Sequence, residues 1–123
     1  MRIEGYFNEN DEPVIKINLG STSIEVLIDT GFAGSLIIPQ ELSTDLTLNF
    51  EGFEEFYTVT GHVFVAPAYS VEANWFGERI KVPVAISADV KEALLGSQRL
   101  KNCRLTIDYD DRAVQIMKKS KRV

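Results

Sequence analysis

The sequence is poor in the residues that build most reactive or stapled sites. It holds one cysteine, Cys103, and one histidine, His62. A single cysteine cannot close an internal disulfide. One Cys and one His cannot by themselves make a four-ligand zinc site. No metal and no other cofactor is expected. No apolar run approaches the ~20 residues of a membrane-crossing helix. The opening Met1-Arg2-Ile3-Glu4-Gly5 lacks the apolar stretch of a secretory signal. A cytoplasmic protein with no membrane partner is therefore expected. Positive charge is scarce too. Thirteen Lys and Arg face 18 Asp and Glu, a net charge of -5, which argues against a nucleic-acid partner.

Apolar content is ample. Hydrophobic residues make up 45% of 123, and charged ones 25%, too apolar a balance for disorder and enough for one domain with a core. Little of it is patterned as helix. Ile15, Ile17 and Leu19 alternate on one face, and after Gly20-Ser21-Thr22 so do Ile24, Val26 and Ile28. Two alternating runs around a Gly-containing turn predict a hairpin. Leu36-Ile37-Ile38 is a short apolar run stopped by Pro39. One short helix is expected over 39–46. Alternation returns over 56–65, with a hairpin tip at Gly61-His62. Further strands are expected over 69–75 and 79–86, joined through Phe76-Gly77-Glu78. A weak helical pattern covers 88–95. A second short helix is expected over 97–102, with Ser97 as its N-cap. Two last strands, 103–109 and 113–117, flank Asp110-Asp111-Arg112. About eight strands with one or two short helices predict an all-β, small closed barrel. Residues 23–28 also lie over 79–86 as a faint internal repeat. The expected domain is 1–117. Residues 118–123 are expected to be a basic tail, with four of the 13 basic side chains.

The chemistry concentrates in Val26-Leu27-Ile28-Asp29-Thr30-Gly31-Phe32-Ala33-Gly34-Ser35-Leu36-Ile37-Ile38-Pro39. A carboxylate directly after an apolar strand needs hydrogen bonds or shared charge. Gly31 and Gly34 let the chain turn so that amides point back at it. Thr30 can brace the turn or a partner chain. Ser35 is expected to hydrogen-bond the outer carboxylate oxygen.

This stretch resembles the active-site loop of the aspartic proteases: two hydrophobic residues, Asp-Thr-Gly, a Ser or Thr a few positions on, then an apolar run. A second motif of that family, two hydrophobic residues and Gly before a short helix, is matched by Leu94-Leu95-Gly96. The chain carries one such Asp, which points to the single-domain, retropepsin-like branch. That resemblance implies a homodimer in which two Asp29 carboxylates meet across a two-fold axis. It implies hydrolysis of an extended polypeptide by a water that the pair activates, without metal or covalent intermediate. It implies that Thr30, Gly31, Ser35, Leu95 and Gly96 support the active-site loop. It also implies a flap hairpin over the substrate, for which 56–65 is the candidate. Tyr57, Val59, Gly61 and Val63 would be flap or pocket residues, with Phe32 and Ala33 as substrate contacts. The sequence departs from retroviral relatives where Phe32 and Ala33 replace their Ala and Asp, and where Ser97 replaces an Arg.

Plainer readings stand beside these. Asp-Thr-Gly is ordinary turn chemistry. His62 reads as an exposed loop residue, Cys103 as a small hydrophobe opening a strand, and Asp110-Asp111 as a solvated turn. A non-catalytic peptide-binding or dimerisation module on the same fold is the main alternative function. An accidental Asp-Thr-Gly on a small barrel is the other.

Overall fold

The computed structural model describes residues 1–120. Ten strands carry the chain: β1 (Arg2–Phe7), β2 (Pro13–Leu19), β3 (Thr22–Ile28), β4 (Leu36–Pro39), β5 (Asn49–Tyr57), β6 (Val63–Trp75), β7 (Glu78–Ser87), β8 (Leu94–Leu95), β9 (Cys103–Asp108) and β10 (Ala113–Lys118). Two short 3-10 helices, Gln40–Asp45 and Ser97–Leu100, are the helical content among the described residues.

The β2–β3 hairpin forms where alternation predicts it, with Ile15 opposite Val26 and Ile17 opposite Ile24. All four are buried. Gly20 turns the chain at φ +61°, a conformation costly for other residues. The β6–β7 hairpin turns through Phe76 and Gly77, both at positive φ. Phe76 accepts that strain because its ring is buried against Trp75, 5.2 Å between centroids.

The two hairpins close one barrel. Sheet neighbours run β6-β7-β4-β8-β3-β2, and β2 pairs back onto β6 through Asn18–Asn74 and Leu19–Ala73. This closed ring of six strands agrees with the expected small closed barrel. The faint repeat has a topological counterpart. β4 follows β3 but pairs parallel with β7, and β8 follows β7 but pairs parallel with β3. β4 and β8 then meet antiparallel between them. Each strand after a hairpin thus crosses to the other hairpin. Leu36, Ile38, Val82, Val84 and Leu95 are fully buried in the barrel.

Two extensions leave the ring. β5 continues outward from β6 as a long hairpin, and β1, β10 and β9 extend from β2. A smaller apolar cluster sits under the hairpin, built from Ile37, Phe56, Ala66 and Ala85 with Phe32, Phe64, Val90 and Leu94 against it.

Several expectations need correction. There are ten strands rather than eight. β1 and residues 49–55 of β5 are additions. β5 hid because Phe50, Phe53 and Phe56 lie three apart, and a bulge between Phe50 and Gly52 breaks the two-residue period. The separate strands over 63–65 and 69–75 are one strand, β6, running through Pro67. Proline is tolerated there because residues 63–67 pair only with β5 and not with β7. No helix covers 88–95; β8 occupies its end. Gly96, not Ser97, holds the N-cap place of the second 3-10 helix, and no side chain caps it. Lys118 belongs to β10, and the Lys119 N–H donates to Asn102 O at 2.8 Å. The first two residues of the expected tail are thus tied to the sheet. Its last part, 121–123, lies outside the described residues.

Candidate active site

β3 delivers Asp29 to the barrel's end. Ile28 is buried as the strand's last residue, and Asp29 follows with its side chain partly exposed. Backbone bonds fix the exit. The Leu27 N–H donates to Ala93 O at 2.8 Å and the Asp29 N–H to Leu95 O at 2.9 Å. β8 thus runs directly alongside the carboxylate-bearing residue. The loop then folds on itself. The Gly31 N–H donates to Asp29 Oδ1 at 3.0 Å, and the Phe32 N–H to Asp29 O at 3.1 Å.

Three more bonds clamp the loop to the residues after β8. The Gly96 N–H donates to Ser35 O at 2.9 Å, the Ser97 N–H to Phe32 O at 2.8 Å, and the Gln98 N–H to Gly34 O at 3.2 Å. At Gly96 this closeness requires glycine: a Cβ there would run into the backbone oxygens of Gly34 and Phe32, 2.6 Å from the latter. A Cβ on Gly34 would lie 2.6 Å from the Phe32 ring. The structure therefore brings Asp29, Thr30, Gly31, Ser35, Leu95 and Gly96 into one knot of chain. Thr30, Gly31 and Ala33 are exposed on it.

Phe32 is more than a surface contact. It is partly buried, with its ring 5.3 Å from that of Phe56, which stands 5.2 Å from Phe64. This aromatic ladder seats the β5–β6 hairpin on the loop. Phe56 and Phe64 are directly opposite each other across the hairpin, on the face turned to Phe32. The next pair, Tyr57 and Val63, must point to the other face. Tyr57 is 72% exposed, Val63 52%, and Val59 at the tip is fully exposed. Gly61 turns the tip at φ +85°. Phe56 and Phe64 were missed as site-facing residues. Their signal was the pairing parity: with a tip near Gly61, they are the apolar pair on Phe32's side. His62 is exposed at the tip, bonded to Thr60 at 2.9 Å.

Beside the loop lies an open cleft of about 350 Å³, lined by Ala33, Gly34, Glu54, Phe56, Gln98 and Lys101, among others. Behind it, Arg99 lies 5.3 Å from the centre of the Trp75 ring. Burial pulls the Arg99 guanidinium below its usual range and pushes the Cys103 thiol up. A raised thiol is mostly protonated at neutral pH, the wrong state for a nucleophile.

Ser35 departs from expectation. Its Oγ is buried and has no hydrogen-bond partner among the described residues, so it does not reach Asp29. An unpaired buried hydroxyl is a cost. Ser35→Ala should therefore leave thermal stability unchanged or raise it by about 1 kcal/mol. A loss of that size in a chemical-denaturation curve would show a partner for the hydroxyl.

The fold is matched among solved structures. The chain has the retropepsin-like fold. A retropepsin-like aspartic protease from Rickettsia conorii superposes with a TM-score of 0.69 at 18% identity, over 96% of this chain and 91% of that one. EIAV protease, in complex with the inhibitor HBY-793, gives 0.63 at 20% identity, over 77% and 90%. Simian Foamy Virus (mac) protease gives 0.50 at 16%, over 71% and 90%. No protein-family model matches the chain, and no curated protein matches it in sequence. The retropepsin-like fold thus rests on backbone geometry, while sequence similarity is low throughout.

Proposed function

We propose that this protein is an aspartic endopeptidase active as a homodimer. The carrying observation is the Asp29 loop. Its carboxylate stands at the mouth of a retropepsin-like barrel, with one oxygen held by the Gly31 amide and the loop pinned to residues 96–98. The chain supplies one Asp-Thr-Gly, so the second carboxylate comes from a second copy.

Two carboxylates in hydrogen-bond range share one proton, since both cannot easily ionise. The ionised member takes a proton from water as the water attacks the peptide carbonyl. The protonated member hydrogen-bonds the developing oxyanion. The proton then passes to the leaving amine, which restores the pair. The substrate is an extended polypeptide lying as a strand between the loop and the β5–β6 hairpin. Ala33 borders the loop side of this path. Phe56 and Phe64 shape the base of the hairpin, with Tyr57, Val59, Gly61 and Val63 towards its tip. A cytoplasmic setting is part of this reading.

The test is cleavage of a denatured protein across acid and neutral pH. The rate should be bell-shaped in pH and highest in acid. It falls at high pH as both carboxylates ionise, and at low pH as the base is protonated. A statine-type inhibitor should block it. Saturable peptide binding with no cleavage at any pH would overturn the enzymatic reading and favour a binding module.

A further inference from the structure

The outer side of the β5–β6 hairpin carries apolar side chains that nothing among the described residues covers. Residues along each strand alternate between two faces. Phe56 and Phe64 face the Asp29 loop, so Phe53, Glu55 and Tyr57 of β5 face outward with Val63, Val65 and Pro67 of β6. The bulge between Phe50 and Gly52 brings Phe50 onto that same face, opposite Tyr69. The Phe50 ring lies 5.6 Å from those of both Phe53 and Tyr69. Phe53 is 71% exposed, Phe50 59% and Val65 57%. A contiguous exposed strip of this kind suits contact with another chain.

The backbone of β5 is open beside the strip. Among the described residues β5 pairs with β6 along one side and with no strand along the other. The Thr58 N–H donates to His62 O at 2.9 Å, so Thr58 directs its backbone groups at β6. By alternation Phe56 and Glu54 do the same, while Tyr57, Glu55 and Phe53 direct theirs at the free edge. Pro67 agrees with this parity: it stands opposite Phe53, in a pair that calls for no N–H. The three residues that offer N–H and C=O groups to an incoming strand thus also present their side chains on the apolar face.

Charge selects what can join. β5 and residues 63–70 together hold Glu51, Glu54 and Glu55 and no Lys or Arg. None of the three makes an ion pair among the described residues. Glu51 accepts from the Ser70 hydroxyl at 2.9 Å, whereas the nearest donor to Glu55 is the Tyr57 hydroxyl at 3.5 Å, too long for a strong bond. Pairing of β5 with a copy of itself would set acid beside acid. A basic side chain opposite Glu55 would instead be attracted.

We infer that the free edge of β5 takes an extended segment of the polypeptide substrate as an added antiparallel strand, with Lys or Arg opposite Glu55 and apolar residues opposite Phe53 and Tyr57. The pattern it reads is apolar, any, basic, any, apolar. Main-chain bonds to Phe53, Glu55 and Tyr57 hold the strand, and alternate side chains select it. The substrate is the source because the two places are continuous. The open cleft beside the Asp29 loop is bordered by Glu54 and Glu55, so a chain leaving that cleft runs onto β5. This rests on the endopeptidase reading and adds to it a contact remote from the scissile bond.

The experiment attaches the pattern to a substrate. An unfolded protein is extended by a flexible Gly/Ser linker of about ten residues and then Val-Thr-Lys-Thr-Phe. The extension should raise kcat/KM about tenfold or more at low salt and leave kcat unchanged, because it binds equally before and during the reaction. Glu55→Lys should remove the gain and transfer it to a substrate extended by Val-Thr-Glu-Thr-Phe. Phe53→Ser, at a mostly exposed side chain, should reduce the gain as well. The labelled five-residue extension alone should bind Asp29→Asn in fluorescence anisotropy. N-methylation of its Lys amide removes the N–H that would bond Glu55 O, and should abolish that binding. Equal rates with and without the extension, beside no binding of the labelled peptide, overturn the edge site and leave the endopeptidase standing. Binding that Glu55→Lys does not weaken also overturns the edge site. Glu55-dependent binding by a protein that cleaves nothing overturns the endopeptidase and keeps the edge as a docking site.

Discussion

Asp29→Asn abolishes peptide hydrolysis and leaves the fold in place. The expected fall in kcat/KM is at least about a thousandfold, the scale of losing a positioned acid–base group. The amide is nearly isosteric with the carboxylate, and its oxygen can still accept from the Gly31 N–H that now bonds Oδ1 at 3.0 Å. Loop geometry therefore survives. What goes is the group that can hold a negative charge and take a proton from water. A shift of less than about 2 °C in the melting temperature, beside a lost rate, separates chemistry from folding. Mixed dimers sharpen the result. One copy with Asp29 and one with Asn should also be inactive, because the shared proton needs two carboxylates. Activity within tenfold of the unaltered protein would show that Asp29 is a turn residue and not the base.

Gly96→Ala acts by the opposite route, through the fold. A Cβ there would stand 2.6 Å from the backbone oxygen of Phe32, and 2.6 Å from Phe32 Cδ2. The side chain could move, but the backbone oxygen cannot without breaking the Ser97 N–H bond it accepts at 2.8 Å. The loop and β8 would have to separate, opening the clamp that holds Asp29. The expected loss is about 3 kcal/mol, at the high end for overpacking, since backbone rather than a flexible tip is struck. That is roughly 10 °C in melting temperature for a domain of this size. Activity should fall further than the folded fraction does, because molecules that remain folded carry a displaced loop. An unchanged melting curve would mean that the two loops are not in contact.

The parts of the fold that were legible in the sequence are those with a strict period and clean punctuation. β2 and β3 alternate through Ile15, Ile17, Leu19, Ile24, Val26 and Ile28, because one face of each lines a closed barrel. The Asp29 loop was legible because its glycines serve close approach, which few other residue types permit. β5 was obscured by its bulge at Gly52, which slides the aromatic residues out of phase. β8 had no period to read, being two residues long with Leu95 buried by strands on both sides, and was legible only through the Leu94-Leu95-Gly96 motif. Ser35 was misjudged for another reason. Sequence spacing places a hydroxyl near a carboxylate along the chain but not which way it points, and burial turned this one into the interior. The hairpin face was a matter of parity, fixed only once Phe56 was seen opposite Phe64.

β6 runs 13 residues, from the tip of the hairpin to the far end of the barrel. Roof and wall are therefore a single beam of polypeptide, with no joint of loop between them. Anything that lifts the tip must flex that beam, and it is weakest over 63–67, where rungs brace one side only and Pro67 offers no amide for a second. A guest wedged under the roof would be felt as load along the wall, and a stiffer wall would hold the roof down.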